Sequence, residues 1–515
     1  MSVSQPDKHR RLLPRWQPSG ATIASGELLP VEPAKRVKSD DPHFEARKEE
    51  WEQSPSIDVA AELVASALVL DRTSEVESAA RLLAEKSSDV SSTLRSMAHQ
   101  ALGHPQGHRT SHHVAHPGRL VASAFYGQIS RLRHHLHDNP RDGYGWIDLA
   151  RLYTILGQNA KGRKAVMSAL AVAPEDRFIL RTSARFFVHN DEPDMGRQLL
   201  AEARATRHDP WLMAAEIAVS QVAERTPQTA SLAHRLLKQQ AWPSRSSSEL
   251  AGSLATLLLE DGSAHKSRNL FRQSLRDPTE NAVAQAQWAA GNTKGLVIPA
   301  VLFQNPNGHE ARTLRDALAG NWAEAIQGCW NWAEYEPTSS RSMIMGSYIA
   351  AVAYEDGLAI VEFAERGLES EPRNAILLNN KAVGLIYLGD LEEAAKILTS
   401  IIIESSPFTA QPALYATTGL LFFRSGDVER GRALYERAID HRYSRQDRRC
   451  YALAIWHLAC EEVRARSSEA AAAVARAERI SKDIKIAEIE TMRTRLAVSN
   501  KSQTDHPSGT HLRLR

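Results

Sequence analysis

The residues best suited to chemistry are the histidines. Nine of the chain's 20 fall in one span: His99, His104, His108, His112, His113 and His116, then His134, His135 and His137. Neutral imidazoles bind zinc or nickel well, so a metal site is the reactive reading. The spacing speaks against it. His104 to His116 lies among Gly, Pro, Ser and Thr, without a cysteine, and no carboxylate follows until Asp138. A polar linker does not hold ligands in the fixed geometry that a closed site needs. His457 and Cys460 stand three residues apart on one helical pattern and resemble a Cys/His dyad. Both read as core positions, whereas a reactive thiol needs an electropositive, partly open setting. The sequence carries no GxxxxGK[ST], no GxGxxG after a strand, no HExxH and no GxSxG. It therefore predicts no catalysis, no metal and no cofactor.

What remains is surface, and surface depends on the elements that present it. At 515 residues the chain is too long for one compact core, so several domains or a repeat array are expected. It is 43% hydrophobic and 24% charged, and 63 Lys+Arg against 61 Asp+Glu leave a net charge of +2. That balance disfavours a wholly nucleic-acid-binding surface. Cys329, Cys450 and Cys460 form no CxxC, which fits a reducing compartment without a disulfide framework. The N-terminus lacks an apolar stretch behind its basic residues, and no apolar run reaches the ~20 residues of a membrane helix. A cytoplasmic protein with no membrane contact is expected.

The stretch that sets the architecture runs from Asp142 to Pro174. Trp146, Leu149, Ala150 and Tyr153 share one face of a first helix, Gly157 stops it, and Gly162, Val166 and Ala169 lie on the facing side of a second. A bulky residue opposite a small one lets two short antiparallel helices pack closely. The pattern resembles a tetratricopeptide repeat, with Ala150 and Gly162 as the main departures. A second copy follows about 34 residues on, with Leu180, Ala184 and Phe187 facing Gly196, Leu200 and Ala203. Later copies centre on Gly389-Asp390 and Gly426-Asp427, where glycine suits a left-handed helix end and aspartate caps the next helix. The expected fold is an all-α, tetratricopeptide-like solenoid of antiparallel helix pairs, with helical caps and a disordered N-terminal arm.

The expected division is an extended arm over 1–55, an N-terminal helical cap over 56–104, and a His/Gly/Pro-rich linker over 105–119. A first array follows over 120–291, an insertion or hinge over 292–310, and a second array over 311–442. Capping helices over 443–499 and a disordered tail over 500–515 complete it. The arm carries seven prolines from Pro6 to Pro55, yet Arg11-Leu12-Leu13-Pro14-Arg15-Trp16 joins cations to a tryptophan. That composition suits docking on a partner or back onto the solenoid.

The resemblance implies a non-catalytic interaction scaffold or adaptor that binds a protein or peptide in its concave groove. Groove positions would be Tyr144, Ile147, Arg151, Thr154 and Ile155 in the opening repeat, then Phe178, Arg181, Arg185, Val188 and His189. Three arginines beside two aromatics suit an acidic or phosphorylated segment. In the second array Asn380, Tyr387, Phe423 and Arg424 stand among apolar neighbours, a groove better suited to a helix or hydrophobic peptide. Tyr387 stands where a carboxylate clamp would need lysine, so that clamp is not expected. An RNA-binding helical repeat is one alternative, disfavoured because the groove positions show no repeating polar code. A metal-dependent protein using the His-rich segment is the other.

Overall fold

The computed structural model describes residues 13–19, 42–70, 72–85, 97–99, 101–102, 122–240, 242–291, 293, 295–401, 411–482 and 484–504. Every regular element among them is helical. The expectations for the histidines from His104 to His116, for the part of the N-terminal cap over 86–96 and for the tail after 504 lie outside the described residues. The chain divides into two compact units. The first takes in Arg10–Ala311 together with Glu334–Thr338, and the second Arg312–Ala333 together with Ser339–Arg515.

In the first unit, helix Gly143–Ile155 pairs with Asn159–Val172, Arg177–His189 with Pro193–Glu202, Pro210–Val222 with Ala230–Lys238, and Ser244–Glu260 with Ala264–Ser274. Glu280–Ala290 begins a further pair. The first helices start at 143, 177, 210, 244 and 280, steps of 33 to 36 residues. The local cause is a repeated cap. Asp142, Asp176, Asp209 and Thr279 each accept a bond from a main-chain N–H in the first turn of the helix that follows. Such a cap stabilises a helix by about 1 kcal/mol, and it fixes where each repeat begins.

These caps also tie one repeat to the next. The Tyr144 hydroxyl donates to Asp176 Oδ2 at 2.7 Å, and Arg177 pairs with Asp209. Small residues set the helix crossings. A Cβ on Gly196 would sit 3.0 Å from the Ala184 carbonyl oxygen, closer than side chains normally approach backbone. Gly157 ends its helix at φ 65°, as the left-handed stop requires.

Before the repeats, helices Pro42–Gln53, Ile57–Leu70 and Glu77–Glu85 bury Phe44, Leu63, Val76 and Leu83 in a core continuous with the opening repeat. Among the described residues of 1–55, this first helix and Leu13–Ser19, whose Trp16 is 1% exposed, carry structure.

The second unit repeats the plan. Helix Arg341–Ile349, prolonged by a wider turn over Ala350–Tyr354, pairs with Gly357–Ser370. Ala375–Leu388 pairs with Leu391–Ser400, Gln411–Arg424 with Val428–Asp440, and Arg448–Arg464 with Ala470–Ser481. Gly389, at φ 86°, ends one helix, and Asp390 caps the next through the Glu393 N–H at 3.2 Å. Gly419 and Gly431 meet backbone to backbone: a Cβ on either would lie 2.9 Å from the other's carbonyl oxygen. The final helix, Ala487–Thr504, was expected only to cover the end of the array. It reaches much farther, since Tyr348 bonds Glu488 at 3.1 Å and Arg495 donates to the Val352 oxygen at 2.6 Å.

Candidate functional site

Leu13–Ser19 lies along a face of the first unit, its inner face, to which the first helices Gly143–Ile155, Arg177–His189 and Glu280–Ala290 contribute. Asn281 Nδ2 donates to the Leu13 carbonyl at 3.0 Å, and Arg151 Nε to that of Trp16 at 3.3 Å. At the far end Asp148 accepts from the Ser19 N–H at 2.9 Å and from its hydroxyl at 2.6 Å. Asn281 belongs to the fifth first-helix and Asp148 to the opening one, yet seven residues connect them. An extended chain of that length reaches about 23–25 Å, so the helices must curve round the segment.

Side chains fix the middle. Arg15 donates to Glu310 at 2.6 Å and to Glu336 at 2.7 Å, and all three side chains are at least nine-tenths buried. Burial alone would lower the Arg15 pKa. Glu336, Glu310 and Glu280 more than offset it, and the guanidinium is held charged. Trp16 lies edge-on to Phe186 with centroids 6.0 Å apart. Gln17 Nε2 donates to the Tyr335 carbonyl at 2.8 Å, and Tyr335 in turn donates to Glu280 at 3.0 Å. Asp148 sits in partly buried surroundings that push its carboxyl up to about 6, against the pull of the two Ser19 donors.

The expected groove residues of this unit fall into three groups. Tyr144 and Phe178 do come together, stacked at 5.5 Å, but both are buried, so neither ring offers a partner flat apolar contact. Burial and the nearby Asp176 carboxylate raise the Tyr144 hydroxyl well above its ordinary range. Arg181 is also buried; it meets Glu249 at 2.7 Å and lies over the Trp211 ring at 4.9 Å. The expectation of an open arginine surface is corrected at this point, because the charge is already matched within the repeat stack. Arg151 touches the bound segment, and burial lowers its pKa while Asp148 supports its charge. Arg185 and His189 lie farther along their helix, partly buried.

Sequence reasoning missed the carboxylates that receive Arg15. Glu310 and Glu336 flank helices outside the clear repeats, and Glu280 follows the Thr279 cap, so no repeat position singled them out. The available signal was the complementary one, a lone Arg-Trp step in a proline-rich arm.

In the second unit Asn380 donates to the Ser347 hydroxyl at 2.8 Å, a buried tie between neighbouring first helices. Phe423 packs edge-on against Tyr435 at 5.9 Å. Arg424 forks onto Glu461 at 2.9 and 3.1 Å and lies over the Tyr387 ring at 5.6 Å. From Glu461 the ladder continues through Arg464 and Glu355 to Arg495 on the final helix. These groove positions are spent on the unit's own framework. Burial pushes the Cys460 thiol up to about 12 and pulls His457 well below its ordinary value, the reverse of an activated pair. Among the described residues no cluster of three or more metal-ligating side chains occurs, and no helix is long and apolar enough to cross a membrane.

No family model and no curated protein matches this sequence. Among solved structures, a tetratricopeptide repeat protein from Parabacteroides merdae is 16% identical, covering 54% of this chain and 98% of its own, at a TM-score of 0.27. The Cut9–Hcn1 hetero-tetramer structure is 12% identical over 89% of this chain and 86% of its own, at 0.45. Yeast Tom70 is 13% identical over 74% and 93%, at 0.33. What decides the architecture is the repeat within this chain: helix pairs that start every 33 to 37 residues within each unit, several of them capped, crossing at Gly196 and at Gly419. The chain is a tetratricopeptide-like helical-repeat protein. Leu13–Ser19 is held against three first helices of this repeat, Gly143–Ile155, Arg177–His189 and Glu280–Ala290.

Proposed function

We propose that the first unit is a protein-interaction scaffold whose inner face binds an extended protein segment and performs no reaction. One observation carries this reading: Leu13–Ser19 is held along that face by contacts to three of its main-chain groups as well as to Arg15, Trp16, Gln17 and Ser19. Main-chain recognition gives affinity for any extended segment, and the side-chain pockets give selectivity. A basic partner is better supported than an acidic or phosphorylated one, because Arg181 is matched by Glu249 whereas three carboxylates converge on Arg15. Three buried cysteines outside any disulfide accord with work in a reducing compartment such as the cytoplasm.

Random-peptide display on the full chain tests this reading. Peptides should be selected whose capture falls at least tenfold on the Asn281→Ala/Asp148→Asn chain, with the melting curve retained. Selected peptides that bind both chains equally would show that the inner face is not the binding surface.

A further inference from the structure

We infer that Leu13–Ser19 is a built-in competitor for this face, and that the protein partner it excludes presents an extended basic–aromatic segment of the same chemistry. The inference rests on the scaffold reading above and adds the ligand class and the means of control.

The argument starts from what the face demands of any occupant. Glu310 and Glu336 side chains are 1% and 8% exposed, and both accept from Arg15. Without a cation between them, two buried carboxylates would face each other beside Glu280, and their repulsion disfavours the empty face. An acidic or neutral peptide supplies neither of the two guanidinium donors that Arg15 gives them. Lysine could supply the charge, but only guanidinium spans two carboxylates with separate donors, as Arg15 does here. The neighbouring position needs a large ring against Phe186. Beyond it, Asp148 needs donors, which Ser19 supplies from both main chain and side chain. The pattern demanded is therefore arginine, then an aromatic residue, then a small hydroxyl residue three positions on.

The resident segment meets every one of these demands through a short stretch, extended over 13–18 and helical at Ser19, that buries one large ring. A segment of this kind can leave without opening the helix pairs that hold it. A partner of matching chemistry then gains the same contacts in exchange, and its apparent affinity is reduced by the fraction of time the resident segment is docked.

The test uses a fluorescein-labelled synthetic peptide of residues 13–19 and the full chain. The Arg15→Ala/Trp16→Ala chain should bind this peptide at least tenfold more tightly than the unaltered chain does, because its own segment no longer competes. Adding Glu310→Gln/Glu336→Gln should remove that binding, and so should Arg15→Ala in the peptide. Ser19→Glu, which sets a carboxylate against Asp148, loosens the resident segment by a second route and should act like the double variant if that one folds poorly. Equal peptide binding by the altered and unaltered chains overturns the inference, as does failure of every folded variant to bind. In either case, displayed peptides of other sequence that still depend on Asn281 and Asp148 would leave the scaffold reading standing.

Discussion

Each unit is crossed by an element that stands outside its helix pairs, and the two elements differ in kind. In the second, the final helix crosses from Tyr348 and Val352 to helix Arg448–Arg464, with Ile489 and Met492 fully buried in the unit's main hydrophobic core. In the first, the occupant is a stretch extended over 13–18 with one buried ring, one buried cation and a few main-chain bonds. A helix satisfies its own backbone and brings many apolar side chains, so it becomes part of the fold. An extended segment must borrow partners for its backbone groups from the face it covers. The difference separates a structural filler from an exchangeable occupant.

The sharpest break in that comparison is to truncate the main anchor on each side. Ile489→Ala should destabilise the second unit by about 2–5 kcal/mol, as expected for a fully buried aliphatic side chain. Trp16→Ala should leave the main unfolding transition of the first unit in place, because the segment is released before the helix pairs open. Urea denaturation followed by circular dichroism reads both. A large loss of stability from Trp16→Ala would make the segment as structural as the final helix.

A smaller effect is expected from the helix crossings. Gly419→Trp places a large ring where even a Cβ would sit 2.9 Å from the Gly431 carbonyl oxygen. Overpacking of this kind costs about 1–3 kcal/mol or more. Thermal melts identical to those of the unaltered chain would mean that the pairs are not registered as described.

The repeats were legible because their signals are local. Gly157, Gly389 and Gly426 stop helices, and Asp390 caps one, within a turn of where the pattern placed them. The groove was harder to read. Repeat position singled out Arg151, which bonds the Trp16 carbonyl, but it could not tell that Tyr144 and Phe178 would stack on each other or that Arg181 would meet Glu249, 68 residues away. Glu310 and Arg15 are 295 residues apart, and no periodic pattern links an irregular arm to the end of an array. Even the final helix was legible as a helix, while its path across the unit depended on pairings such as Tyr348 with Glu488.

The smallest expected effect concerns Asp148. Its carboxyl is pushed from an ordinary 3.8 up to about 6, chiefly by burial, while Ser19 pulls the other way. The folded state thus holds this proton more tightly than the unfolded one. The stability from this group is full below pH ~4 and is lost as pH rises through ~6. Carbon-detected NMR titration should find the raised value, and Ser19→Ala should raise it further by withdrawing the hydroxyl donor. An ordinary carboxylate pKa in the folded chain would show that Ser19 and its neighbours do not cover Asp148.

The central claim is that the extended segment occupies the inner face of the first unit, and trypsin tests it at one bond. Cleavage after Arg15 requires its side chain to leave Glu310 and Glu336 and enter the protease. The account predicts that the Arg15–Trp16 bond of the folded chain is cut far more slowly than in the free peptide, and that Glu310→Gln/Glu336→Gln restores rapid cutting. Cleavage of the unaltered chain at the free-peptide rate would contradict it.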